Sequence, residues 1–114
     1  MASEERVERP RKKSEYEIFF GSREAKRGWR DLVATRRANM SDAWDFLTRT
    51  PLAQTPQNYP LQGELGTVTR NGQSFTRWQH KPALNGDARI WFYVAGQKVY
   101  LERVHTHHPN ETKR

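Results

Sequence analysis

Turn-forming dipeptides cut the C-terminal half of this sequence into short pieces. Asn71-Gly72, Asn85-Gly86 and Gly96 separate segments near 64–70, 73–81, 88–95 and 98–107, and the later ones alternate apolar and polar residues. Asn-Gly supplies two neighbouring residues that tolerate positive φ, as a tight hairpin requires, while a period of two gives each strand one face for a core. A meander of three or four strands follows.

The N-terminal half has a different period. Tyr16, Ile18 and Phe20 alternate as in a half-buried strand that Gly21 ends. Ser22 offers a capping hydroxyl, and Ala25, Trp29, Leu32 and Val33 recur at helical spacing. Ser41-Asp42 is a second start signal, followed by Ala43, Trp44 and Leu47 and bounded by Pro51. The stretch PLAQTPQNYP has three prolines and predicts a loop. Strand, two helices and meander make an α+β chain, with the helices packed on a twisted, mainly antiparallel sheet. Trp29, Trp44, Trp78 and Trp91 are expected to fill much of its core.

At 114 residues there is material for one such domain. Residues 1–14 have Val7 as their only large apolar side chain and predict a disordered charged arm ahead of a domain over 15–113. The absence of cysteine excludes disulfide frameworks and thiolate zinc sites. No run reaches the roughly 20 apolar residues of a membrane span, and the start lacks a secretory apolar stretch, so a cytoplasmic location is expected. Twenty Lys and Arg against thirteen Asp and Glu give a net charge of +7, which favours a polyanionic partner.

The candidate chemistry lies on the later strands. In ARIWFYVAG, alternation puts Ile90, Phe92 and Val94 on one face and Arg89, Trp91 and Tyr93 on the other. The second set suits RNA, whose unstacked bases lie on aromatic rings while arginine pairs with phosphate; a second packed face with Arg89 at its rim suits it equally. In SFTRWQHKP, Arg77, Gln79 and Lys81 share one face and Trp78 and His80 the other. A hairpin at Asn85-Gly86 would bring Lys81 near Arg89 as a two-cation phosphate clamp. Three of the four histidines, His105, His107 and His108, close the last strand, where an imidazole can exchange protons near neutral pH. On a continuous strand His105 and His107 share a face. The spacing of Val99, Leu101 and Val104 breaks strict alternation and predicts a bulge at Glu102-Arg103. With no cysteine and no carboxylate cluster close in sequence, neither a metal site nor a cofactor is expected.

The order YEIFF, AKRGWRDL, AWDFL, YPLQGEL, FTRWQHK, GDARIWFYV and KVYLERVHTHH resembles the RelE/ParE superfamily of toxins from type II toxin–antitoxin systems, over roughly residues 15–113. The resemblance implies a βααβββ fold, with one added strand, and a metal-independent endoribonuclease that cleaves mRNA, commonly on the ribosome, by 2′-OH attack. It also implies a monomeric toxin held by a cognate antitoxin. The catalytic residues expected on this basis are His107, His105, Arg89, His108 and Lys81. RNA contacts are expected at Arg77, Trp91, Tyr93, His80, Arg103 and Lys113. Two departures stand out. Pro109-Asn110-Glu111-Thr112-Lys113 replaces the tyrosine with which many of the family's nucleases end, and the ELGTVTRNGQ hairpin is additional. The ParE branch inhibits DNA gyrase instead, and a non-catalytic RNA-binding module is a third reading.

Overall fold

The computed structural model describes residues 4–109, so Lys113 lies outside the described residues. The first strand, β1 (Glu17–Phe20), leads into α1 (Arg23–Thr35) and α2 (Arg37–Arg49). A five-stranded sheet then assembles from β1, β2 (Asn58–Pro60), β5 (Trp78–His80), β6 (Arg89–Ala95) and β7 (Lys98–His105), in the order β1-β7-β6-β5-β2. Only β1 and β7 pair in parallel. A separate hairpin, β3 (Thr67–Arg70) and β4 (Gln73–Thr76), follows a 3-10 turn over Gly63–Gly66. The α+β expectation holds, with two helices on a mostly antiparallel open sheet.

Both helices begin for local reasons. Ser22 accepts a hydrogen bond from the Ala25 backbone N–H, the capping role its hydroxyl predicts. The second helix does not start at Ser41-Asp42. It starts at Arg37, after the single linking residue Arg36, because the earlier start lets Met40 join Ala43 and Leu47 on one buried stripe. Trp44 falls beside that stripe and remains exposed, contrary to its expected place in the core. Ala25, Leu32, Met40 and Leu47 pack on Ile90, Phe92, Val99, Leu101 and Val104. Each fully buried side chain of that size contributes roughly 1.5–3 kcal/mol.

The turn signals differ in outcome. Asn71 and Gly72 take φ of 54° and 78° and close the β3–β4 hairpin, and Gly96, with φ of 62°, closes β6–β7. Asn85-Gly86 closes no tight hairpin, because β5 stops at His80 and β6 begins at Arg89. The residues between form a longer loop, fastened by the Gly86 N–H to the Ala83 carbonyl. The expected strand over 73–81 is two strands in two sheets, β4 in the hairpin and β5 in the main sheet. At Arg77 the backbone N–H bonds to Gly66 and the carbonyl accepts from Leu61, so the chain leaves the hairpin there and enters the main sheet. The proline-rich stretch includes β2, at the sheet edge where Pro60 need not donate. Residues 4–11 are exposed and outside regular structure, while Arg9 and the backbone N–H of Lys12 hold the Glu15 carboxylate.

Candidate functional site

Leu101 and Val104 are three residues apart and both face the helices, which a regular strand cannot arrange. The strand solves this with a register shift between Trp91 and Phe92, which pair with Arg103 and Leu101 and leave Glu102 as the extra residue. Beyond the bulge Arg89 pairs with His105. A guanidinium and an imidazole therefore sit on neighbouring strands, on the sheet face opposite the helices.

Glu102 is buried and organises that face. Its carboxylate accepts from Arg77 Nε at 2.6 Å and Arg77 Nη2 at 2.8 Å, and from Arg70 Nη2 at 3.1 Å. Arg77 also donates to the Leu65 carbonyl and lies over the Trp91 ring, 5.3 Å from its centroid. Trp91 is buried, with its Nε1 donating to Gln79 Oε1, and Gln79 in turn donates to the Tyr59 hydroxyl. Tyr93 is stacked between Phe75 of the added hairpin and Tyr100. Arg77, Trp91 and Tyr93 are thus packed beneath other groups rather than laid along an open face. The packed-face reading is the correct one for the two rings, because the 3-10 turn and hairpin supply a second layer over this side of the sheet.

His105 and Arg103 remain at an opening. They line a groove of about 530 Å³ with Ser22, Glu24, Arg70 and Glu102, along the part of β7 that lies beyond its pairing with β1. The His105 ring meets Trp91 edge-on at 4.6 Å. Arg103 is exposed and has no hydrogen bond or ion pair among the described residues. Arg89 is buried, with Nη1 donating to the Gly86 and Ala88 carbonyls. Its buried Nε has no hydrogen-bond partner among the described residues, a state that normally costs about 1–3 kcal/mol.

The other expected residues are dispersed. Since β7 ends at His105, His107 does not share its face. It lines a different cleft, of about 410 Å³, with Arg36, Asn39, Met40 and Asp87. His108 Nδ1 is 2.9 Å from the Pro109 carbonyl. Lys81 places its ammonium over the Tyr59 ring, 5.4 Å from the centroid, while Arg89 is bound to loop carbonyls, so each cation of the expected clamp has another partner. His80, expected at an RNA contact, is buried. It packs on Phe46 and meets Asn58 Oδ1 through Nδ1 at 3.1 Å. Asn58 Nδ2 donates to the Pro51 and Ala53 carbonyls, which makes Oδ1 the acceptor and puts the His80 proton on Nδ1. Burial pushes the His80 pKa down to about 4. Among the described residues no three His, Asp or Glu side chains are grouped to hold a metal ion. Sequence reasoning passed over Glu102 and Arg70, although an acid inside an apolar alternation and an arginine before a hairpin turn were visible signals.

No family model matches the sequence, and no curated protein matches it. Among solved structures, the YoeB/ParE toxin from Agrobacterium tumefaciens superposes with a TM-score of 0.57, over 81% of this chain and 99% of its own, at 15% identity. The chain shares the fold of that YoeB/ParE toxin. On that frame the Arg89–His105 pair joins the central strand, β6, to its neighbour β7, and the groove opens where β7 outruns β1. No helix among the described residues is long and apolar enough to cross a membrane.

Proposed function

We propose that this RelE/ParE-like chain is the toxin of a toxin–antitoxin pair, acting in the cytoplasm as a metal-independent endoribonuclease on mRNA, on the ribosome, until an antitoxin covers it. The observation that carries this reading is the strand register that sets His105 opposite Arg89, with Arg103, which has no ion pair among the described residues, beside His105 at an open groove. A ribose 2′-oxygen attacks the adjacent phosphorus, the bond to the 5′-oxygen breaks, and a 2′,3′-cyclic phosphate forms. In-line displacement puts the attacking and departing oxygens on opposite sides of phosphorus, so the His105 imidazole serves one of the two proton transfers, and solvent water takes up the 2′-OH proton or supplies the 5′-oxygen proton in the other. Arg89 and Arg103 stabilise the charge that accumulates on the phosphoryl oxygens. His107, in its own cleft, is outside this assignment. The deciding experiment maps RNA 5′ ends after induced expression of wild type and of His105→Ala. New ends in wild type that vanish in the variant support the reading; ends that persist in the variant take the proton transfer away from His105, and a wild type that produces no new ends sinks the reading.

Burial of Trp91 and Tyr93 favours a second reading, since it removes the base-stacking platform and blocking a protein target needs none. A gyrase supercoiling assay with the purified chain separates the two.

A further inference from the structure

We propose that the β3–β4 hairpin builds a second phosphate subsite into the His105 groove, in which Arg70 and Arg103 together receive a backbone phosphate of single-stranded RNA next to the scissile one. This inference rests on the endoribonuclease reading.

The hairpin is fastened to the sheet at its base and middle. Phe75 stacks on Tyr93 at 4.8 Å, and Val68, opposite Phe75 in the hairpin register, is buried. Arg70 is the last residue before the Asn71-Gly72 turn, and from that tip it crosses to Glu102 on the β7 bulge. That bond is not needed to neutralise the carboxylate. Arg77 already holds both Glu102 oxygens, at 2.6 and 2.8 Å, with its side chain only 14% exposed. The Arg70 side chain is 46% exposed, and ion pairs of that kind stabilise a fold by about 0–1 kcal/mol. The Arg70 guanidinium has five N–H groups and uses two among the described residues, on Glu102 and on the Thr69 carbonyl. Three are left for a ligand, on a group whose direction Glu102 has fixed.

Arg103 supplies the second cation. The bulge sends it to the same side as Glu102, into the groove that Arg70 and His105 also line. Across Arg70, Arg77, Arg103, Glu24 and Glu102 three positive charges meet two negative ones, and one phosphodiester charge balances the surplus. The volume, about 530 Å³, is within the roughly 300–1,000 Å³ of small-ligand clefts.

The test uses the full chain and a short fluorescent single-stranded RNA, with binding measured by anisotropy across a salt series beside a thermal melt. Arg70→Gln and Arg103→Gln should each weaken binding about three- to tenfold and flatten the plot of log affinity against log salt by roughly 0.7, one phosphate contact on a single strand. Their melting temperatures should stay close to wild type, and Arg70→Lys should keep the wild-type slope. Wild-type affinity and slope in Arg70→Gln overturn the subsite, while loss of cleavage in His105→Ala in the same series leaves the nuclease reading intact. A wild-type chain that neither binds nor cleaves RNA overturns both.

Discussion

Gly28 of α1 lies so close to Val104 of β7 that a Cβ at position 28 would overlap the Val104 carbonyl oxygen. Here α1 crosses the strand one residue before His105, so the contact fixes the height of the helix above the site. Two effects oppose each other in Gly28→Ala. Alanine is about 1 kcal/mol better than glycine inside a helix, but overpacking costs about 1–3 kcal/mol, and the atom in the way is sheet backbone rather than a flexible side chain. The clash should win. A net loss of up to about 2 kcal/mol is expected by denaturant titration; a stability above wild type would show that α1 lifts off the sheet freely.

His80 gives the fold a pH dependence whose sign is set by burial. The folded state holds its pKa near 4, against an ordinary value of 6.5. The unfolded chain therefore takes up a proton first as pH falls. Stability from this residue is fully present above pH 6.5, is lost between 6.5 and 4, and changes no further below that. The loss at pH 5 is about 2 kcal/mol relative to pH 7.5. Denaturation midpoints at the two pH values measure it. His80→Gln, which retains a donor for Asn58 Oδ1, should remove most of the difference, and an undiminished difference in that variant would assign the effect to other groups.

The N-terminal segment divides at Arg9. A hydrogen bond from Arg9 and the Lys12 backbone N–H hold the Glu15 carboxyl below the usual carboxylate range. Removing residues 1–8 should leave the thermal midpoint where it was, whereas removing 1–14 should lower it without unfolding the domain, because Glu15 loses both partners. Equal midpoints for the two truncations would mean that water replaces those partners without penalty.

The order of elements was legible because it rests on local signals: the Ser22 cap, the glycine turns at 72 and 96, and two hydrophobic periods. The bulge was legible too, from the odd spacing of Leu101 and Val104, but which histidine it sets opposite Arg89 was not, and the register that joins Arg89 to His105 comes from the structure. What the sequence concealed was the second layer. Alternation assigns Trp91 and Tyr93 to the face away from the helices but cannot say whether that face meets water. The answer depends on where the 67–76 hairpin folds, a long-range choice made by Phe75 on Tyr93 and by Arg70 on Glu102. The start of α2 was misplaced for a related reason. Burial of Met40 outweighs the Ser41 cap signal, which is worth only about 1 kcal/mol.

The histidines give the sharpest separation of chemistry from binding. His105 lies in the groove with Arg103, and His107 lies in another cleft with Arg36. If His105 transfers a proton during cleavage, His105→Ala should lower the cleavage rate by about 10²–10⁴-fold. Its RNA affinity should stay within a few-fold of wild type, since an interaction made chiefly in the transition state appears in rate rather than binding. Arg89→Ala should reduce both, because a guanidinium contacts phosphate before and during reaction. His107→Ala should cleave at a rate close to wild type. The upstream product should end in a 2′,3′-cyclic phosphate or its 3′-phosphate hydrolysis product, and chelators should leave the rate unchanged. Cleavage lost in His107→Ala but kept in His105→Ala would move the reaction to the Arg36 cleft, and activity abolished by chelator and restored by zinc would replace the acid–base scheme altogether.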